Sequence, residues 1–336
     1  MIEIDGSYGE GGGQIVRTSA ALALITQQPV RIKNIRAKRE RAGLRPQHLS
    51  ALKLLTELSD TKINGLRVGA TELEILPGKP RGGKKKIDIG TAGSIALLLQ
   101  SVLLPFVVGN EELELTIIGG TDVTRAPTMD YVAKVLLSLI KKLGVEAEIH
   151  VEQHGFYPAG GGIVNLNLRK SQLHSWVCTK PEGELELVGK IVCAHLPEHV
   201  PSRMKHAALK VFLGEEMAVE IEWVRARCPG VSITLWGQYE NTVLGSSGVG
   251  EKGVPAEQIG EECADELKRN LANECTVDSK MADQILPFLA VAEGRSEFTT
   301  KYVSLHARTV AWVIDKFLQK KIEFVEEKEK VVVRVS

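Results

Sequence analysis

The feature that most constrains this chain is that one order of elements comes round three times along it. Ile2–Asp5 alternates as a strand, a Gly-rich turn follows, and a helix pattern runs from Gly12 to Thr26. Strand Val30–Ile35, helix Pro46–Leu58 and strands around Lys62–Val68 and Thr71–Leu76 complete the first unit. The order restarts with strand Lys86–Ile89, a turn over residues 90–94, helix Ile95–Val107 and strand Leu113–Ile118. A helix near Thr128–Leu143 comes next, with Val132, Val135, Leu136, Leu139, Ile140 and Leu143 on one face, then strands near Glu146–Glu152 and Ile163–Leu168. The third unit reads as strand Cys275–Val277, helix Lys280–Ala292, strand Glu297–Val303, helix His306–Leu318 and strands Ile322–Val325 and Lys330–Val335. Three βαβαββ units of roughly 60 to 80 residues predict an α+β core of repeats. Between the second and third units an α/β insert intrudes, with strands near Glu184–Cys193 and Ser232–Tyr239 and helices near Ser202–Leu213 and Ala256–Asn273. The expected domains are a core of residues 1–180 and 276–336 and an insert of residues 181–275.

Charge adds a functional hint that net charge hides. Lys plus Arg and Asp plus Glu both number 42, yet Arg31, Lys33, Arg36, Lys38, Arg39, Arg41, Arg45 and Lys53 face a single acid, Glu40, within residues 31–53. Lys79, Arg81, Lys84, Lys85 and Lys86 form a second cluster. Segregated positive charge suits an anion, phosphate or nucleic acid, and a solvated charged face accounts for it equally well. The five cysteines contain no CxxC pair and read as reduced thiols, not a disulfide framework. Cys193, His195 and His199 lie close in sequence, but Pro197 breaks a helical arrangement and no fourth zinc ligand is evident. The longest apolar stretch, Ile95 to Val108, is interrupted by Gln100, Ser101 and Pro105 and is too short to span a bilayer. The first residues show no leader pattern, so a cytoplasmic protein with no membrane partner is expected.

Two glycine runs and one histidine stand out. Gly6 to Gln14 (GSYGEGGGQ) lies between a strand and a helix, where backbone N–H groups suit phosphate. It is neither a P-loop nor a dinucleotide fingerprint, and a plain turn fits it as well. Glu10 within it would repel phosphate unless a metal intervenes. His154 to Gly162 (HGFYPAGGG) invites a close backbone approach, or a tight connection between units. Gly90–Ser94 and Gly119-Gly120-Thr121-Asp122 raise the same question. A Ser-His-Asp hydrolase lacks its elbow motif here. Ser304 is an N-cap that sets His306 in the first turn of an amphipathic helix, where the dipole disfavours imidazolium and welcomes phosphate on the ring. By position alone a satisfied core histidine remains the commoner case.

Taken together, the stretches from Asp5 through Gln14 to Arg17, Ile35 to Arg39, Gly43 to His48, Gly93-Ser94, Gly119 to Asp122 and His154 to Gly162 resemble the RNA 3′-terminal phosphate cyclase family nearly end to end. The resemblance implies three repeats similar to the C-terminal domain of a translation initiation factor, with a thioredoxin-like insert. Enolpyruvyl transferases use similar repeated units, but their motifs are absent. It also implies a chemistry: His306, matching the family's nucleophile, attacks the α-phosphorus of ATP, AMP passes to an RNA 3′-phosphate, and the 2′-hydroxyl displaces it to close a 2′,3′-cyclic phosphate. Mg²⁺ or Mn²⁺ and arginines would offset the crowded phosphate charge. By the same resemblance Arg17, Arg36, Arg39 and Gln47, with His48, face RNA phosphate or pyrophosphate oxygens, and Glu10 orients His306 or holds the metal. Gln100, Pro127, Lys280, Met281, Ala282, Asp283 and Gln284 match the nucleotide pocket. Lys280 stands where relatives offer an aromatic ring to adenine, so its aliphatic stem must serve. Family members that act as RNA-binding ribosome-assembly factors, and adenylyltransferases acting on 5′-phosphates, are the alternatives; the presence of His306 and the arginines speaks against the first. Few aromatics look exposed, so backbone-dominated, salt-sensitive RNA binding is expected. A homodimer is expected on base rate alone.

Overall fold

The computed structural model describes all 336 residues as a mixed α+β protein with four small four-stranded sheets. The first sheet holds β1 (Ile2–Asp5), β2 (Val30–Lys33), β3 (Lys62–Asn64) and β4 (Leu73–Leu76), with helices α1 (Gly13–Thr26) and α2 (Pro46–Glu57) between its strands. The second holds β5 (Gly83–Asp88), β6 (Leu113–Gly119), β7 (Ala147–Gln153) and β8 (Gly162–Leu168). Its helices are α3 (Ile95–Val108) and a pair, α4 (Met129–Tyr131) and α5 (Leu137–Lys142), joined through a π-helical stretch Val132–Leu136. After β9 (Val177–Cys178) come β10 (Glu186–Ala194), α6 (His199–Val211), β11 (Met217–Trp223), β12 (Gly230–Gln238), β13 (Val243–Val249) and α7 (Ala256–Ala272). The chain closes with α8 (Ala282–Val291), β14 (Ser296–Thr300), α9 (Leu305–Phe317), β15 (Ile322–Glu326) and β16 (Val331–Val335).

Three sheets share one strand order, first–second–fourth–third: β1-β2-β4-β3, β5-β6-β8-β7 and β9-β14-β16-β15. In each the first pair is parallel and the other two are antiparallel. A parallel pair needs a crossover, which α1, α3 and α8 supply. Those helices are apolar on most sides (eleven residues of α1 and eleven of α3 are buried) because each packs on other helices as well as its own sheet. One apolar core therefore runs from Ile4 to Val335. The fourth sheet, β11-β10-β12-β13, with α6 and α7 builds a second, smaller core of Leu187 to Cys275.

The third unit departs from its expected outline. Cys275–Val277 is not a strand; its place beside β14 is taken by Val177–Cys178, which lies before the intruding segment. The N–H groups of Thr276 and Val277 both donate to Thr299 O, and the Thr276 hydroxyl donates to Cys178 O, so the returning chain is tied to the sheet without joining the ladder. Strands Met217–Trp223 and Val243–Val249 were not expected from the sequence. All five cysteines are free, with Cys178, Cys193, Cys263 and Cys275 buried. No helix is long and apolar enough to cross a membrane.

Candidate active site

The glycine run after β1 lies along the first turns of α9, and its glycines are there to let it do so. Ser304 caps α9 by accepting from Ala307 N, which places His306 in the first turn. Three loop residues then meet four residues of α9. Glu10 faces His306, Gly9 faces Thr309 and Leu305, and Tyr8 stacks on Trp312 with ring centroids 4.0 Å apart. A Cβ on Gly9, whose φ is +56°, would come within 2.6 Å of Thr309 Oγ1, so only glycine allows this approach. Gly12 is less constrained: a Cβ there would make only ordinary contacts, 3.6 Å from Arg39 Nη2 and 3.9 Å from His306 Cε1.

His306 is held at both ring nitrogens. Nδ1 lies 2.5 Å from Gln14 Oε1, and Gln14 Nε2 donates to Asp283 Oδ2 at 2.6 Å. Because the amide nitrogen is spent on the carboxylate, its oxygen is what faces the ring, and Nδ1 must be the protonated nitrogen. Nε2 then points to Glu10 Oε2 at 3.1 Å, which also accepts from Arg39 Nη2 at 3.0 Å. A proton on Nε2 thus has a waiting acceptor, and its removal leaves an in-plane lone pair on Nε2. Burial raises the Asp283 carboxyl to about 6, against His306, Gln14 and Arg17, which pull it down.

Beside this pair stands a group of arginines. The Nε atoms of Arg17 and Arg36 are enclosed yet have no hydrogen-bond partner, an arrangement that fits incoming phosphate oxygens. Burial lowers Arg17 to about 10, Asp283 opposing and Arg36 adding to the fall. Arg36 is lowered too, by burial and then by Arg39 and Arg45. It holds a left-handed backbone, φ +56°, inside a loop pinned by Gly43 N donating to Ile35 O and Arg39 N donating to Arg36 O. Gln47 is half-buried at the start of α2, against Gly93. His48 differs from its expected role: it is buried, its Nδ1 accepts from Arg45 N in a capping box, and its ring lies against Gly13, where a Cβ would sit 2.1 Å from Nε2. Burial and the neighbouring Arg17, Arg36 and Arg45 push His48 down to about 3, so it is a neutral spacer among cations.

His306 opens onto a cleft of about 740 Å³. Gln14, Arg17, Gln100, Pro127, Lys280, Asp283, Gln284 and His306 all line it, so residues from all three sheet units meet there. Met281 and Ala282 do not. Both are core residues, turned inward because Met281 N is tied to Asp278 O and Oδ1 in the turn that starts α8. The far wall comes from β13 and α7 and brings Glu251, Glu262 and Glu266. Lys280 Nζ bonds Glu266 Oε2 at 2.6 Å; burial opposes its charge but the carboxylate outweighs it, so its pKa is raised.

For a divalent cation the donor set is lean. No three His, Cys, Asp or Glu side chains converge anywhere in the chain. Glu10 alone fits an Mg²⁺ or Mn²⁺ ion that arrives on phosphates and takes one protein oxygen, the usual habit of Mg²⁺, and not a resident ion in a protein cage. Cys193 belongs to the smaller core, and His195 Nε2 is occupied by Ala226 O. In the His154 run, Tyr157, Pro158 and Ala159 are exposed, but His154 itself is buried: its Nδ1 meets Asp122 Oδ2 at 2.9 Å, and Asp122 Oδ1 accepts from Ser232 Oγ at 3.0 Å. The carboxylate sits in the middle, so this is a tie between β12 and the second sheet, not a nucleophile relay.

The RNA 3′-terminal phosphate cyclase family model matches residues 8–324. The chain belongs to this family. A cyclase of Archaeoglobus fulgidus so described is 41% identical, covering 99% of this chain and 100% of its own length. RNA 3′-terminal phosphate cyclases of Methanosarcina barkeri and Methanopyrus kandleri are 42% and 43% identical, over 98% and 96% of this chain and 98% and 95% of theirs. Within this family member, sequence reading placed His306, Glu10 and the arginines but missed Gln14 as the link to Asp283. It also missed Tyr302 at the cleft rim and the acidic wall of Glu251, Glu262 and Glu266. Gln14 lay inside the quoted motif; its position three residues before Arg17, on the same helical face, was the available signal.

Proposed function

We propose that this chain converts an RNA 3′-terminal phosphate to a 2′,3′-cyclic phosphodiester, using ATP and a covalent histidine–AMP intermediate. The observation that carries the reading is the setting of His306: Nδ1–H fixed by Gln14 and Asp283, Nε2 facing Glu10, and the ring opening onto a cleft that Arg17, with its enclosed and partnerless Nε, also lines. Nε2, its proton already passed to Glu10, attacks the α-phosphorus of ATP lying in the cleft; the N–P bond forms and the P–O bond to pyrophosphate breaks. An RNA 3′-phosphate oxygen, oriented by Arg17, Arg36 and Arg39, then attacks that phosphorus and releases His306, giving RNA(3′)pp(5′)A. The 2′-hydroxyl attacks the 3′-phosphorus and AMP departs. Gln100, Pro127, Lys280 and Gln284 hold the nucleotide. Glu10 would hold Mg²⁺ or Mn²⁺, which when bound would supply charge neutralisation.

The shared strand order of three sheets supports a core of three related units, residues 1–180 and 276–336, similar to the initiation-factor domain. The separate core supports an inserted thioredoxin-like domain, residues 181–275. The test uses α-labelled ATP with Mg²⁺ or Mn²⁺ and no RNA. Acid-labile, base-stable label on the denatured wild type and none on His306→Ala is the expected result, with discharge on adding 3′-phosphorylated RNA. Absence of label with both metals refutes the covalent route. Discharge onto 5′-phosphate ends alone refutes the cyclase.

A further inference from the structure

We infer that Tyr8, backed by Trp312, is a stacking platform for an unpaired base near the RNA 3′ end. The inference rests on the reading of the substrate as RNA. One face of the Tyr8 ring lies on Trp312, at 4.0 Å between centroids and 9° between planes, yet Tyr8 remains 42% exposed. Its solvent contact is therefore its other face, an open aromatic surface on a rigid support. Trp312 is braced in turn by the Lys316 ammonium, 5.6 Å from its ring centroid.

Position and charge select the occupant. Along α9, His306 and Trp312 are six residues apart, about 9 Å. A strand rising roughly 3.4 Å per nucleotide places the second or third base from the end at that distance from the reacting phosphate. The platform is flanked by exposed Lys38, whose Nζ bonds Gly9 O, and by exposed Lys316, so an anionic backbone is welcome where an apolar peptide would gain nothing from either cation. Every base has a π-face, so such a platform accepts any sequence. Aromatic scarcity in the composition therefore hides a stacking contact at the one place the strand must pass.

The test is equilibrium binding of a short fluorescent, 3′-phosphorylated single-stranded RNA, read by anisotropy, which needs no AMP transfer. Wild type, Tyr8→Ala and Tyr8→Phe are each titrated with intact RNA and with RNA abasic at the second and third positions. Stacking of about 1–3 kcal/mol per base converts to about 5- to 140-fold in Kd. Wild type is expected to lose that factor on abasic RNA, Tyr8→Ala to lose it on intact RNA with no further loss on abasic RNA, and Tyr8→Phe to behave as wild type. Equal binding of intact and abasic RNA by wild type overturns the inference. So does a Tyr8→Ala variant that loses RNA-free AMP labelling while keeping the abasic penalty, since Tyr8 would then only position the loop. If wild type takes no AMP label but shows the abasic penalty, the covalent route fails and the platform stands.

Discussion

Replacing Gln14 by Met tests the core of the catalytic reading. Gln14 is only 8% exposed, and Met has nearly its shape, so the change removes hydrogen bonds without opening a cavity. Two bonds disappear, at 2.5 Å to His306 Nδ1 and 2.6 Å to Asp283 Oδ2. Bonds to charged partners contribute about 1.5–3 kcal/mol each, and only the one on the ring acts on the nucleophile, so the rate of AMP transfer to His306 should fall about 10- to 150-fold. The Asp283 side adds a pH signature. Gln14 lowers the Asp283 pKa from what burial alone would impose, so without it the carboxyl rises above about 6. The acid limb of the labelling rate should therefore move to higher pH. The assay is single-turnover labelling from α-labelled ATP between pH 5 and 8.5, with thermal unfolding as a control. A Gln14→Met enzyme that labels at the wild-type rate with an unmoved pH profile would show that His306 needs no fixed tautomer.

Three other changes follow from the same geometry. His48 is held at about 3 in the folded chain against an ordinary histidine's 6.5, so the native state binds fewer protons between those values. Its stability contribution is present above 6.5 and is lost as pH falls toward 3; His48→Gln, which keeps a capping-box acceptor, should flatten that loss by up to about 1.4 kcal/mol per pH unit in denaturant titrations. Gly13→Ala would drive a Cβ to 2.1 Å from His48 Nε2, and overpacking of this kind should cost about 1–3 kcal/mol in urea unfolding, whereas an unchanged midpoint would mean His48 is free to move. Arg39→Ala should weaken RNA binding and make the plot of log affinity against log salt shallower by about 0.7 if Arg39 contacts one phosphate, while also freeing Glu10 from its 3.0 Å partner.

Much of this was legible in the sequence because it depends on spacing within one element. Helices α1, α2, α3 and α9 begin and end within about two residues of their expected bounds, since apolar period and caps such as Ser94 and Ser304 are local signals. The π stretch at Val132–Leu136 was not legible: the buried face Val132, Val135, Leu136, Leu139, Ile140 and Leu143 obeys helical period, and the extra residue per turn falls where Val135 and Tyr131 pack close to Gly245 of β13. The third unit's first strand was assigned to the wrong side of the insert because Cys275–Val277 and Val177–Cys178 are equally apolar, and only the parallel register with β14 decides between them. Charge misled where pairing is remote in sequence. Arg81, Lys84 and Lys85 each meet a carboxylate, Asp60, Glu114 and Glu57, so that cluster is largely neutralised, whereas Arg17, Arg36 and Arg45 are not paired with acids.

The same reasoning explains why His306 could not be told from a core histidine by position. Its own helix supplies only the cap and the dipole. What sets this ring apart is supplied from residues about 290 positions away: Gln14 from the first turn of α1 and Glu10 from the loop before it, with Asp283 of α8 behind. Gly9 has no side chain because the loop must lie within van der Waals contact of α9. A glycine run read alone as a phosphate turn is thus a packing device first. It brings the beginning of the chain against its last helix, and the site exists only when the first and third units are docked. Substitutions that loosen that docking, such as Gly9→Ala against Thr309, should therefore abolish AMP labelling before they unfold the protein, with labelling and thermal midpoint measured on one preparation. Parallel loss of both would mean that the loop–helix contact carries stability and catalysis alike.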